Sequence, residues 1–131
     1  MTGSYRAMID GRMLIAALLA ASLGAAAPAR ATEAPYDASM ARLAEVLGSL
    51  HFLRNLCGEK GTQWRDRMEK LLASENPSPE QRSRLVAGFN RGYRTFNASY
   101  TTCTPSATAA IDRYMKEGEE LSRDIASRFG N

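Results

Sequence analysis

Residues 89–105 read FNRGYRTFNASYTTCTP, with aromatic rings interleaved among arginines. Such a stretch is either a surface on which RNA bases stack or a helix that turns its rings to its own core. Wound at about 100° per residue, it separates into two faces. Leu85, Val86, Phe89, Tyr93, Phe96 and Tyr100 fall within an arc of about 100°, the usual width of a core-facing stripe. Arg84, Arg91 and Arg94 fall on the opposite side. A stacking platform needs rings and cations on one face, so the rings are expected to hold a helical core and nucleic acid is not an expected partner. Gly88, Gly92 and Ser99 share one edge of the stripe, and Asn90 and Asn97 share the other. Small residues four apart let a neighbouring backbone come close, which predicts a tight crossing with the following helix through these glycines and Gly118.

Working outward, start and stop signals divide the chain into four predicted helices. Ser78-Pro79-Glu80-Gln81 combines a cap, a first-turn proline and a capping-box glutamine, and opens the third helix, which is expected to reach about Thr101. Thr104-Pro105 repeats the cap and proline. It starts a fourth helix with Ala107, Ile111, Tyr114, Gly118, Leu121, Ile125 and Phe129 in steps of three and four, ending at Gly130. Upstream, Asp37 caps a first helix to about Leu56, with Leu43, Val46, Leu47, Leu50 and Leu53 as its stripe and Gly58 as its stop. Gly61-Thr62 opens the second helix, whose buried face is Trp64, Met68, Leu71 and Leu72, and Asn76-Pro77 ends it. No strand alternation, repeat or low-complexity segment accompanies these signals. The predicted fold is all-α, a small four-helix bundle-like domain over residues 37–131, preceded by a short linker over 32–36.

Residues 1–31 read as a Sec-type signal peptide. Arg6 and Arg12 precede an apolar run from Met13 to Ala27, too short for a comfortable bilayer span, and Ala29-Arg30-Ala31 is a small-x-small cleavage site. Cleavage is expected after Ala31, with Ala27-Pro28-Ala29 as the competing site and an uncleaved anchor as the alternative. The full chain has 17 Lys+Arg and 14 Asp+Glu; removing Arg6, Arg12, Arg30 and Asp10 with the leader leaves 14 and 13, a net charge of +1. A nearly balanced domain has no global field that would draw it to nucleic acid or anionic lipid. The leader marks the protein for export, with no stable membrane anchor expected after cleavage. Asn97-Ala98-Ser99 is a formal glycosylation sequon, which the bacterial look of the leader makes a coincidence.

Cys57 and Cys103 are the two cysteines, and in an exported domain they read as a structural disulfide. One bridge would pin the end of the first helix to the junction of the third and fourth. Its loop of about 47 residues gives roughly 4 kcal/mol in the loop-entropy account. A redox pair would need the cysteines close in sequence, as in Cys-x-x-Cys. His51 is the single histidine. The bridge removes the thiolate that a Cys–His nucleophile needs, and no second histidine completes a zinc site, so His51 is expected to pack near a helix end. Glu117, Glu120 and Asp124 share a flank of the last helix and are expected to be solvated rather than to do acid–base work. Arg65–Glu69 and Asp66–Lys70 are ordinary i,i+4 surface pairs. No catalytic, metal or cofactor residues are expected.

LHFLRNLCG, WRDRMEKLL, RLVAGFNRGYRTF, YTTCTPSA and AIDRYMKEGEEL, in this order, resemble a small family of secreted, two-cysteine helical proteins of alphaproteobacteria, of unknown function. The resemblance runs from about Leu50 to Gly130. It implies a bacterial source and a periplasmic location, and it supplies no activity, ligand or catalytic residue.

The function expected on these grounds is non-enzymatic: a periplasmic adaptor or regulator that binds another envelope protein. Arg84, Arg91 and Arg94 form its candidate interaction surface, since guanidinium groups pair readily with carboxylates. The alternatives are a bundle holding a small apolar or aromatic molecule near Trp64, Tyr93 and Tyr114, and a cell-wall hydrolase with a perturbed carboxylate in a cleft. Oligomeric state is left open.

Overall fold

A computed structural model describes residues 35–130. The expected leader, its cleavage site and most of the expected linker lie outside the described residues. Within them the fold is all-α, with four helices: α1 Pro35–Leu56, α2 Gln63–Glu75, α3 Pro79–Ser99 and α4 Pro105–Phe129.

The punctuation reads as expected at most ends. Ser78 Oγ accepts from the Gln81 amide at 3.2 Å and Gln81 Oε1 accepts from the Ser78 amide at 3.0 Å, a complete capping box ahead of α3. Thr104 Oγ1 accepts from the Ala107 amide at 3.1 Å before α4. Gly58 follows α1 with φ of +102°, and Asn76 closes α2 in the left-handed region with φ of 44°. Two ends differ. α1 opens at Pro35 rather than at an Asp37 cap, because proline's fixed φ suits the first helical position, and Asp37 then sits in the first turn beside the helix's positive end. α3 stops at Ser99, before Thr101, where Tyr100 turns extended.

The first helix is the axis of the fold. Met40, Leu43, Ala44, Val46, Leu47, Gly48, Ser49, Leu50 and Leu53 are all buried, and at about 100° per residue they cover most of its circumference. A helix buried on so many sides has no single apolar stripe, and α1 indeed contacts each of α2, α3 and α4. Each fully buried leucine or valine there contributes about 1.5–3 kcal/mol of hydrophobic stabilisation.

Partner choice departs from the sequence expectation. Gly88 and Gly92 of α3 lie against α1, not α4: a Cβ on Gly92 would overlap the Glu45 carbonyl, and one on Gly88 would come within 3.2 Å of the Ala41 carbonyl oxygen. Gly118 of α4 also faces α1, where the nearest atom is Val46 Cγ1 at 3.3 Å. The glycine crossing expected between the third and fourth helices therefore does not form; both cross α1 instead. Because backbone contact sets the face of α3, its buried line is Leu85, Gly88 and Gly92. The rings of Phe89, Tyr93, Phe96 and Tyr100 sit beside that line, half-buried, and Val86, expected in the core, is 38 % exposed. α4 is buried mainly in its first half, at Ala107, Ala110 and Ile111, while Phe129 near its end is 42 % exposed.

Cys57 and Cys103 form the expected disulfide, with Cα atoms 4.9 Å apart. It joins the end of α1 to the α3–α4 link.

Candidate functional site

Three helices leaning on one axis leave furrows between them, and the two beside α2 differ in chemistry. Between α2 and α4 runs an open groove of about 400 Å³, with Leu43, Val46 and Leu47 of α1 as floor, Trp64 and Met115 as walls, and Arg67 and Arg123 on its rim. A hollow of about 370 Å³ continues it between the same helices past Leu71 and Ile125 to Phe129. Arg67 lies over the Trp64 ring, 4.8 Å from its centroid, a cation–π contact that fixes this rim.

Between α2 and α3 lies a second groove of about 400 Å³, bordered by His51, Phe89 and Tyr93, by Arg65 from α2, and by Arg82 and Asn90 from α3. The His51 ring lies 5.8 Å from Phe89 and 5.6 Å from Tyr93 between centroids. Burial lowers its pKa, the charge of Arg65 lowers it further, and Asp66 opposes both. His51 thus packs half-buried against rings, as expected of it.

Trp64, Tyr93 and Tyr114 do not meet around one ligand. Trp64 walls the α2–α4 groove and Tyr93 the α2–α3 groove. Tyr114 instead faces α3, edge-on to Phe96 at 5.3 Å and beneath the Arg42 guanidinium at 5.6 Å.

A chain of charges, most of its links between residues distant in sequence, ties three helices together. Arg42 of α1 grips Glu117 of α4 through Nε at 2.6 Å and a terminal nitrogen at 2.9 Å, and its other terminal nitrogen reaches Glu45 at 3.1 Å. Glu45 in turn accepts from Arg91 of α3 at 3.1 Å. The Glu117 contact is the main cause raising the Arg42 pKa above its ordinary value. Bidentate geometry strengthens the pair, yet both side chains are more than a third exposed, so solvent screening holds it to about 1 kcal/mol. Glu117, expected on a solvated flank, is therefore structural. The i,i+3 spacing of Arg42 and Glu45 is legible in sequence; Glu117, 75 positions from Arg42, is not.

The three candidate arginines are exposed but do not form a common free surface. Arg91 is engaged by Glu45, and Arg94 Nε donates to its own helix at the Asn90 carbonyl, 3.3 Å away. Arg84 borders a small hollow with Tyr36, Asp37 and Glu75. Arg91 is thus not available in the way its position on the helical wheel suggests.

Among the described residues no group of three or more His, Cys, Asp or Glu side chains could hold a metal ion. Among the same residues, no helix is long and apolar enough to cross a membrane. Neither the curated proteins nor the solved structures contain a match to the chain. The model of a family described as protein of unknown function (DUF2385) matches residues 35–129, from the first turn of α1 to the last residue of α4, and the chain belongs to that family.

Proposed function

We propose that this is a non-enzymatic, exported protein of the alphaproteobacterial periplasm that binds another envelope protein, receiving an amphipathic helix of that partner in the groove between α2 and α4. The observation that carries the reading is the line of incompletely buried apolar side chains along that groove, Leu71, Met115, Ile125 and Phe129. Apolar grooves lined by helices are a common way to hold a partner helix. From Met115 to Phe129 the wall runs for about 21 Å at 1.5 Å per residue, room for a helix of about four turns. Arg67 and Arg123, against the one carboxylate of Glu119, leave that stretch of the groove with an excess of positive charge that suits a partner with carboxylates beside its apolar face. The Cys57–Cys103 disulfide supports the compartment, since such bridges persist in oxidising surroundings.

In-cell crosslinking of the tagged protein, followed by mass spectrometry, tests the reading. One dominant envelope protein should be captured, and Met115→Glu or Ile125→Glu should abolish its capture while Arg94→Glu leaves it intact. Loss with Arg94→Glu alone would move the interface to the arginine side of α3. Absence of any enriched protein would remove the adaptor reading. Recovery of a chain beginning after Ala31 from the periplasmic fraction tests the location.

A further inference from the structure

The α2–α3 groove is built differently from the one proposed to hold a partner helix. Its aromatic lining follows from the way α3 is seated. Gly88 and Gly92 draw the α3 backbone onto α1, which turns Phe89 and Tyr93 sideways, half-exposed, to flank the His51 ring. The result is a surface of three neighbouring rings rather than a sealed core.

Cations from two helices line the same groove. Arg82 of α3 has no carboxylate partner among the described residues. Arg65 of α2 faces Glu69 at 3.9 Å, and with side chains 65 % and 69 % exposed this is a long, solvent-screened contact that holds the guanidinium weakly. Counting Arg65, Arg82 and Glu69, and with His51 neutral, the lining has a net positive charge. A volume of about 400 Å³ lies within the range of small-molecule sites, roughly 300–1,000 Å³.

We propose that this groove binds a small aromatic carboxylate, its ring against Phe89, Tyr93 and His51 and its carboxylate between Arg65 and Arg82. The ring contacts supply offset or edge-on aromatic packing. Guanidinium groups supply planar donors matched to a carboxylate. Asn90 offers an amide beside them. The site is separate from the α2–α4 groove and does not depend on the protein-binding reading.

Titration of the purified protein with phenylacetate and with 4-hydroxybenzoate, followed by NMR of backbone and imidazole signals, tests the site. Saturable shifts should centre on His51, Tyr93 and Arg82. Acetate, which lacks the ring, and phenylacetamide, which lacks the charge, should each bind at least tenfold more weakly. The double variant Arg65→Gln/Arg82→Gln alters exposed positions, and with an unchanged circular dichroism melt it should bind both acids at least tenfold more weakly. The proposal is overturned if neither acid gives saturable shifts, if the shifts centre elsewhere, or if acetate or phenylacetamide matches the aromatic acids. A double variant that melts normally yet binds as well as the parent overturns the role of the arginines.

Discussion

Gly48 on α1 sits against the main-chain carbonyl of Phe89 on α3, with no room between them for a side chain. A Cβ at position 48 would meet a backbone atom that no rotamer change can move aside. Gly48→Ala is therefore expected to destabilise the protein by about 2–3 kcal/mol, the overpacking cost outweighing alanine's better helix propensity of about 1 kcal/mol. Urea unfolding measures it, and a variant as stable as the parent would show that α1 and α3 are not so tightly apposed.

Gly118 should behave in the opposite way. The single neighbour of a Cβ there is Val46 Cγ1 at 3.3 Å, a side-chain methyl that can give by a few tenths of an ångström. Gly118→Ala is expected to be neutral or to stabilise by up to about 1 kcal/mol through helix propensity. A clear drop in melting temperature would mean that α4 lies closer to α1 than this geometry allows.

The disulfide spans a sequence separation of 46 residues. Cys57→Ser/Cys103→Ser is expected to lower stability by about 2–4 kcal/mol, the upper figure being the full loop-entropy contribution. Denaturant unfolding of oxidised protein against the double variant gives the number. Equal stabilities would mean that the ends of α1 and α3 are already confined without the bridge.

Glu59, in the link from α1 to α2, gathers Arg54, Gln63 and Trp64: Arg54 Nε donates to it at 2.6 Å and the Trp64 indole at 2.9 Å. Arg54 is the main cause holding its carboxyl below the ordinary glutamate value. A depressed carboxyl stabilises the fold above the ordinary value of 4.5, and that stability is lost as pH falls from there through the lowered native value. Glu59→Ala should shift the Trp64 fluorescence and flatten the stability profile in that acid window. An unaltered profile would show that the cluster contributes nothing to acid sensitivity.

His51 predicts a second pH dependence. Its pKa is lowered, first by burial, so the unfolded chain takes up a proton more readily than the folded one. Stability should fall as pH drops from about 6.5 to the lowered native value, and change no further below it from this group. Urea midpoints at pH 7.5 and 5.5 measure the difference, which His51→Gln should reduce. An unreduced difference would assign the effect to other groups.

Much of the fold was legible because the helix ends are written in short-range chemistry. The Ser78–Gln81 box, Thr104-Pro105 and Gly58 act within a few residues, and each appears where expected. Partner choice was not legible. Gly88 and Gly92 announce that a backbone comes close, but the carbonyls of Ala41 and Glu45 that meet them carry no sequence signal of doing so. The central position of α1 was hidden for a related reason: Ala44, Gly48 and Ser49 are buried without adding apolar pattern. Arg91 stood on the outer side of α3 by angle alone, and only the approach of Glu45 from α1 explains its pairing. The two grooves arise from how three helices share one axis, which no single helix encodes.

That shared axis also sets an order in time. The helix that every other helix needs is the first of the described ones to be synthesised, and α1 has almost no stable surface of its own until the others arrive. Helices in proteins owe most of their stability to packing, so the apolar sides of α1 stay open to any passing chain while α2 and α3 are still being made. Cys103 follows α3, so the bridge to Cys57 can close only after the whole of α3 has been made. A closed bridge thus marks a chain that already contains α1, α2 and α3 but need not yet contain α4, and timed thiol trapping beside a probe of helix formation would show whether closure precedes or follows the docking of α3.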